Sequence, residues 1–343
     1  MNSYERCMTV LNHGIPDRVP VIPQDHHVAM RYAGFNHANF HTDPWKMMEA
    51  QLRYMEDLDM DGTFIGADTV CLAEAVGCQI AITEDHCPRP LGGCLKDYSN
   101  LDKLKLPDPY SSGRMPVWVE ATRLIAERVG KDKLVIARAD QGAFSLASMM
   151  RGMQEFLMDV VSGDYDDEIE QLLNYCNECM WVFIKALKEA GAHVVTTGDS
   201  ISGPGVVSPS IYRRFSYPYE KEIARRCHEN DLKFSIHICG WADPILPDWV
   251  DTGCDLMELD HKTTFELARK CSLGKSCLFG NINTTLLFNG TYDEVFEETR
   301  KLLAQVMPQG DFILSSGCLV SDAAPVENMK AMVDAAKEFG VYH

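Results

Sequence analysis

The chain has 343 residues, 46% of them hydrophobic and 24% charged, which is ample for a large buried core. Its 32 Lys and Arg against 50 Asp and Glu give a formal charge of -18, so general attraction to nucleic acid or to an anionic membrane is excluded as a working mode. With no run of about 18 apolar residues and no basic segment leading into an apolar one at the amino terminus, a cytoplasmic location is expected, and the thirteen cysteines read as reduced thiols rather than a disulfide framework.

After an amino-terminal helical extension, the first β-rich run is RVPVIPQ (18–24), and a helix is expected over Trp45–Asp57 before the second run, GTFIGAD (62–68). From about Val70 to Pro116 the chain is rich in Pro, Gly and Cys, as in HCPRPLGGC, and reads as a long excursion before the third strand. Strand-like runs then recur at LVIARAD (134–140), HVVTTGD (193–199), FSIHICG (234–240), DLMELD (255–260), SCLFGNIN (276–283) and FILSSGC (312–318). Helical periodicity separates them at Asp167–Ala190, Pro209–Asn230, Tyr292–Val306 and Pro325–Phe339. Eight strands alternating with helices predict one α/β domain over residues 1–343, a closed (β/α)8 TIM barrel, with a doubly wound open sheet as the competitor.

In each later run the apolar residues come first and a polar residue ends it: Asp140, Asp199, His237 with Cys239, Glu258 with Asp260, Asn281, and Cys318. Barrels of this kind build their active sites at the carboxyl ends of their strands, so these residues converge on one place. Alternation along a strand puts Ser235, His237 and Cys239 on one face, with imidazole and thiol pointing the same way. Zinc takes nitrogen and thiolate ligands in a tetrahedral set, and Cys318, at the tip of the last strand, is the third candidate ligand. Cys176 and Cys179 fall inside a helix, where core packing is the expectation, and Cys87 and Cys94 flank a Pro/Gly loop with no strand tip nearby, so neither pair competes as a metal site.

The stretch from GDSISGPG through SPSIYRRFSYPYEKE and FSIHICGWADPILPDWVDTGCD, with DRVPV (17–21), LDKLKLPDP (101–109), GNINT (280–284) and SSGC (315–318), resembles the uroporphyrinogen decarboxylase superfamily. The resemblance covers nearly the whole chain and implies the same (β/α)8 fold. An arginine-rich "RQAGR" motif, which grips porphyrinogen carboxylates in the decarboxylase, is replaced here by VPVIPQDHHVAMRYAG, with only Arg31 nearby. The His-x-Cys…Cys pattern is similar instead to the zinc methyltransferases of the superfamily that work with corrinoid proteins. That likeness implies one zinc per chain, held by His237, Cys239 and Cys318, with Glu258 completing the set and Asp199 and Asp260 as rivals. It implies catalytic roles for Glu258 and Asp199, and a substrate mouth lined by Gln24, Asp25, His26, Asp140, Asp199 and Asn281. No Asp-x-His-x-x-Gly cobalt-binding motif is present, so the methyl-carrying corrinoid is expected on a separate partner protein docking over the mouth. Dimers occur in the superfamily, which makes a homodimer the assembly to test. The activity expected is transfer of a methyl group from a methoxylated aromatic (O-demethylation) to Co(I) of the corrinoid protein. The alternatives are a methylcobamide:thiol methyltransferase of the coenzyme M type, whose substrate is a sulfonated thiol, a metal-free decarboxylase, and a non-enzymatic accessory protein.

Overall fold

The computed structural model describes residues 1–66, 68–307 and 309–342. Nine strands occur in chain order: β1 (Gly62–Ile65), β2 (Gln79–Ala81), β3 (Arg89–Gly92), β4 (Leu134–Gln141), β5 (Val194–Gly198), β6 (Lys233–Ile238), β7 (Leu256–Leu259), β8 (Cys277–Ile282) and β9 (Phe312–Ser316). Seven of them form one parallel sheet in the order β1-β4-β5-β6-β7-β8-β9, while β2 and β3 make a small antiparallel hairpin inside the excursion.

The eighth stave is residues 20–22, which close the ring without forming a ladder. Val21 bridges Leu314 in parallel, the Ile22 N–H donates to Leu314 O at 2.9 Å, and the Asp61 N–H donates to Val21 O at 3.0 Å, so the segment joins β9 to the residue before β1. The run 18–24 was expected as a full strand. Pro20 and Pro23 supply no amide hydrogens, which leaves a bridge where a ladder would otherwise extend.

Strand alternation sorts the residues into two faces. Outward-facing Val135, Ala137, Val195, Phe234, Ile236, Met257 and Leu278 pack beneath the surrounding helices in the main core. Inward-facing Phe64, Leu134, Ile136, Val194, Leu256, Cys277, Phe279 and Ile313 form a second cluster, stoppered from below by Cys7, Val10 and Leu11 of the helix Ser3–Leu11. The predicted helical extension is thus a plug for the amino-terminal end of the barrel. Continuing up the same faces, the inward positions turn polar: Thr196, Ser235 and Glu258, joined by hydrogen bonds across the lumen, and then His237.

The helix expected over Trp45–Asp57 is observed as Pro44–Leu58, and that over Asp167–Ala190 as Asp166–Glu189. The single helix expected over Pro209–Asn230 is broken into Pro209–Phe215 and Tyr217–Glu229. Pro218 has no N–H to continue the first helix, and its ring obstructs the carbonyl four residues back. The loop expected after the first stave holds two short helices, His26–Tyr32 and His37–Thr42, the second opened by a capping box between Asn36 and Asn39.

Candidate metal centre

At the top of β6, the His237 Nε2 lies 3.1 Å from Cys239 Sγ and 3.5 Å from Cys318 Sγ, and the two sulfurs are 4.0 Å apart. Bond lengths of about 2.0 Å to nitrogen and about 2.3 Å to sulfur in a tetrahedron put such atoms about 3.5 and 3.8 Å apart. The three side chains therefore already stand near ligating separation. Cys318 arrives from just past β9, three strands along the sheet from β6, so the curvature of the sheet brings it to Cys239.

The second nitrogen fixes the orientation of the ring. His237 Nδ1 is 2.9 Å from the backbone oxygen of Glu258, an acceptor only, so Nδ1 carries the hydrogen and Nε2 is turned to the sulfurs. The Cys239 thiol is pulled down to about 3, first by the hydrogen bond from Cys318, against burial, and then by the His237 charge. Cys318 is pushed up by its bond to that thiolate; burial lowers His237, but the Cys239 charge, its hydrogen bond and the Glu258 charge together raise it to about 9. Two protons, on Nε2 and on the Cys318 sulfur, thus occupy positions that a dication would take, and the donor set fits zinc.

Glu258 does not complete the set in this geometry. It is fully buried, its Oε1 accepts from the Ser235 hydroxyl at 2.8 Å and from the Thr196 hydroxyl, and its carboxylate lies outside the group of ligand atoms. Asp199 is also turned away. Its Oδ1 accepts from the Ser145 N–H at 2.9 Å and the Ser145 hydroxyl at 2.6 Å, capping the helix Ala143–Arg151, whose N-cap residue Gly142 has no side chain. A Cβ on Gly142 would meet that carboxylate at 2.8 Å, so glycine and aspartate here are one cap built from two strands. Asp260 accepts from the Gly240 N–H at 2.8 Å and the Lys262 N–H at 2.9 Å, bracing the turn that follows Cys239.

The residues expected to line a substrate mouth are dispersed. Asp25 is buried beside Tyr54, and its carboxyl is pushed up to about 7 by burial. Gln24 and His26 are buried too, His26 stacked on Phe64 at 6.0 Å. Asp140, at φ 65°, sits where β4 bulges, and its Oδ2 accepts from the Leu72 N–H at 2.6 Å; burial and then Asp68 push it up to about 7. Asn281 lines a cleft of about 440 Å³ with His261, Lys262 and Asn283.

One lumen residue was missed. Arg138 precedes Asp140 by two positions and continues the inward face of Leu134 and Ile136; its guanidinium occupies the space above Gly198, where a Cβ would come within 2.1 Å of Nη2. It is 6% exposed, its Nε has no hydrogen-bond partner, and no carboxylate pairs with it among the described residues. The signal was strand parity, which puts position 138 in register with Thr196 and hence in the lumen.

A parallel barrel with a histidine and two cysteines converging on its carboxyl-terminal mouth has the donor set of a zinc site at the end where such barrels carry their active sites. The uroporphyrinogen decarboxylase (URO-D) family matches residues 2–339, and the chain belongs to that family. It is 27% identical over 303 residues to the methylcobamide:CoM methyltransferase MtaA of Methanosarcina barkeri, covering 87% of this chain and 86% of that protein. Uroporphyrinogen decarboxylase of Chloroherpeton thalassium is 26% identical over 306 residues, covering 86% and 84%. Among solved structures, a methyltransferase from Methanosarcina mazei superposes with a TM-score of 0.90 at 26% identity over 99% of both chains.

Proposed function

We propose that this chain is a zinc-dependent methyltransferase that moves a methyl group between a separate corrinoid protein and a small anionic thiol. The convergence of His237, Cys239 and Cys318 carries the reading. Relatives of similar identity include both methyltransferases and decarboxylases, so identity alone does not choose between them. A decarboxylase of porphyrinogens has no use for two thiols and an imidazole facing one point.

The substrate follows from Arg138. A buried guanidinium without a carboxylate partner is costly, and an anionic group on the substrate would offset that cost. This supports a thiol substrate of the kind that the methylcobamide:CoM methyltransferase relatives take. The methoxylated aromatic has only the run VIPQDHH with Met30 and Tyr32 behind it, where Asp25 packs beside Tyr54 and His26 on Phe64.

In this reading His237, Cys239 and Cys318 hold the zinc, which when bound supplies a Lewis acid that keeps a substrate thiol deprotonated at neutral pH. Glu258 orients His237 through its backbone carbonyl, and Asp260 holds the turn at Gly240 so that Cys239 faces inward. Arg138 places the anionic end of the substrate in the lumen, leaving the sulfur toward the mouth, where a docked corrinoid protein presents its methyl group. Among the described residues no helix is long and apolar enough to cross a membrane.

The test is methyl transfer from methylcobalamin, as a stand-in for the corrinoid protein, to 2-mercaptoethanesulfonate, with zinc content measured alongside. Zinc-dependent turnover that disappears in Cys318→Ser is expected. Equal turnover by the metal-stripped protein, or decarboxylation of uroporphyrinogen in its place, would overturn the proposal.

A further inference from the structure

A second group of ligand-type side chains lies outside that centre. The ring nitrogens of His27, His37 and His41 lie within 4.8 Å of one another, all three residues are buried, and the Cys87 sulfur is 3.9 Å from His27 Nε2. His37 and His41, four residues apart on one helix face, bring Nδ1 and Nε2 to 3.4 Å, close to the separation of about 3.3 Å between two imidazole ligands of a tetrahedral ion.

The proton inventory shows why this arrangement is unusual. His41 Nδ1 lies 3.0 Å from the Asp68 carboxylate, which is itself paired with Arg114, and His37 Nε2 lies 3.5 Å from Asp322. With carboxylates beside the outer nitrogens, the two inner nitrogens face each other, placed either to share one hydrogen or to turn to a common ion. A hydrogen shared between those two nitrogens leaves His27 unused, whereas one ion draws on all three imidazoles. Carboxylates behind metal-binding imidazoles are the usual outer-shell arrangement. Access exists as well: His27, His37 and Cys87 line a cleft of about 530 Å³ with His86, Leu319 and Asp322.

We propose that His27, His37 and His41, with Cys87 at the outer edge, form a second site for a borderline divalent ion of the zinc or cobalt(II) class, distinct from the His237–Cys239–Cys318 group. Such an ion ties the helices His26–Tyr32 and His37–Thr42 to the loop that carries Cys87. Cys87 has no strand tip near it in the sequence; its partners are brought in from 46 to 60 residues away by the fold.

The experiment is a titration of the metal-stripped full chain with zinc and, separately, cobalt(II), counting bound metal by elemental analysis after gel filtration. Wild type is expected to bind about two equivalents, Cys318→Ser to keep about one, and His37→Gln to keep about one with the thiolate-to-cobalt absorption of the two-cysteine centre intact. A single equivalent that survives Cys318→Ser and is lost in His37→Gln would still support this site while sinking the zinc centre. At most one equivalent in wild type, lost in Cys318→Ser, would overturn it. So would a second equivalent indifferent to both His37→Gln and His41→Gln. The wild-type and Cys318→Ser counts decide the matter even if a histidine variant fails to fold.

Discussion

The His237 Nδ1 donates to the backbone carbonyl of Glu258, while the Glu258 side chain points into the lumen toward Ser235 and Thr196. Orientation and charge thus come from separate parts of one residue. Because a carbonyl survives any side-chain change, Glu258→Gln is expected to keep zinc within about tenfold of wild-type affinity, the low end of what an outer-shell change costs. His237→Ala and Cys239→Ser remove direct ligands and are expected to lose most of the metal. Competition with a chromogenic chelator measures all three, and loss of zinc in Glu258→Gln equal to that in Cys239→Ser would show that the carboxylate is itself a ligand.

Closure of the barrel depends on Asp61, which is fully buried just before β1. Its carboxylate accepts from Arg6 Nη1 at 2.7 Å, from Arg18 Nη1 at 2.8 Å and from the Val21 N–H at 2.8 Å, so one side chain joins the plug helix, the eighth stave and β1. Asp61→Ala leaves two guanidinium groups and an amide without their acceptor, and a loss of about 3–5 kcal/mol is expected in urea unfolding. A loss under about 1 kcal/mol would mean that water replaces the carboxylate and that closure rests on packing.

Glu220 gives a pH dependence with a definite sign. It is fully buried, takes a hydrogen bond from the Tyr212 hydroxyl at 2.6 Å, and is pushed up to about 8, by burial and then by the negative charge of Asp199. The folded state binds a proton here that the unfolded chain releases near pH 4.5, so this group's contribution to stability falls as pH rises from about 4.5 to about 8. Glu220→Gln removes that fall. The stability gap between variant and wild type should move in the variant's favour between pH 5 and pH 8.5; parallel curves across this range would show that Glu220 is ionised throughout.

Local pattern carried the seven strands of the parallel sheet and put His237, Cys239 and Cys318 at strand ends, because parallel strands of a barrel are continuous apolar runs whose ends are marked by polar residues. It did not carry orientation that depends on distant partners. Asp25 at the end of the first stave looked like a mouth residue until Tyr54 was seen beside it, and Asp199 looked catalytic because nothing local shows that Gly142 needs a cap from another strand. The same limit hid the histidine group: the spacing of His37 and His41 is readable in NHANFH, but Asp68, Cys87 and Asp322 reach them only through the fold.

Arg138 tests the substrate. Among the described residues no carboxylate forms an ion pair with it, so the guanidinium is a charge held in the lumen at the expense of stability, the pattern expected where a group is kept for binding. Arg138→Met is expected to raise stability by about 1 kcal/mol or more, since a hydrophobic side chain of similar length replaces an unpaired buried charge. It should also raise KM for 2-mercaptoethanesulfonate by about tenfold or more, the equivalent of one charge-assisted hydrogen bond, while leaving zinc content unchanged. An uncharged thiol such as 2-mercaptoethanol should lose little, because it never used the guanidinium. Equal losses for both thiols would place Arg138 in the architecture of the site and remove the argument for an anionic substrate.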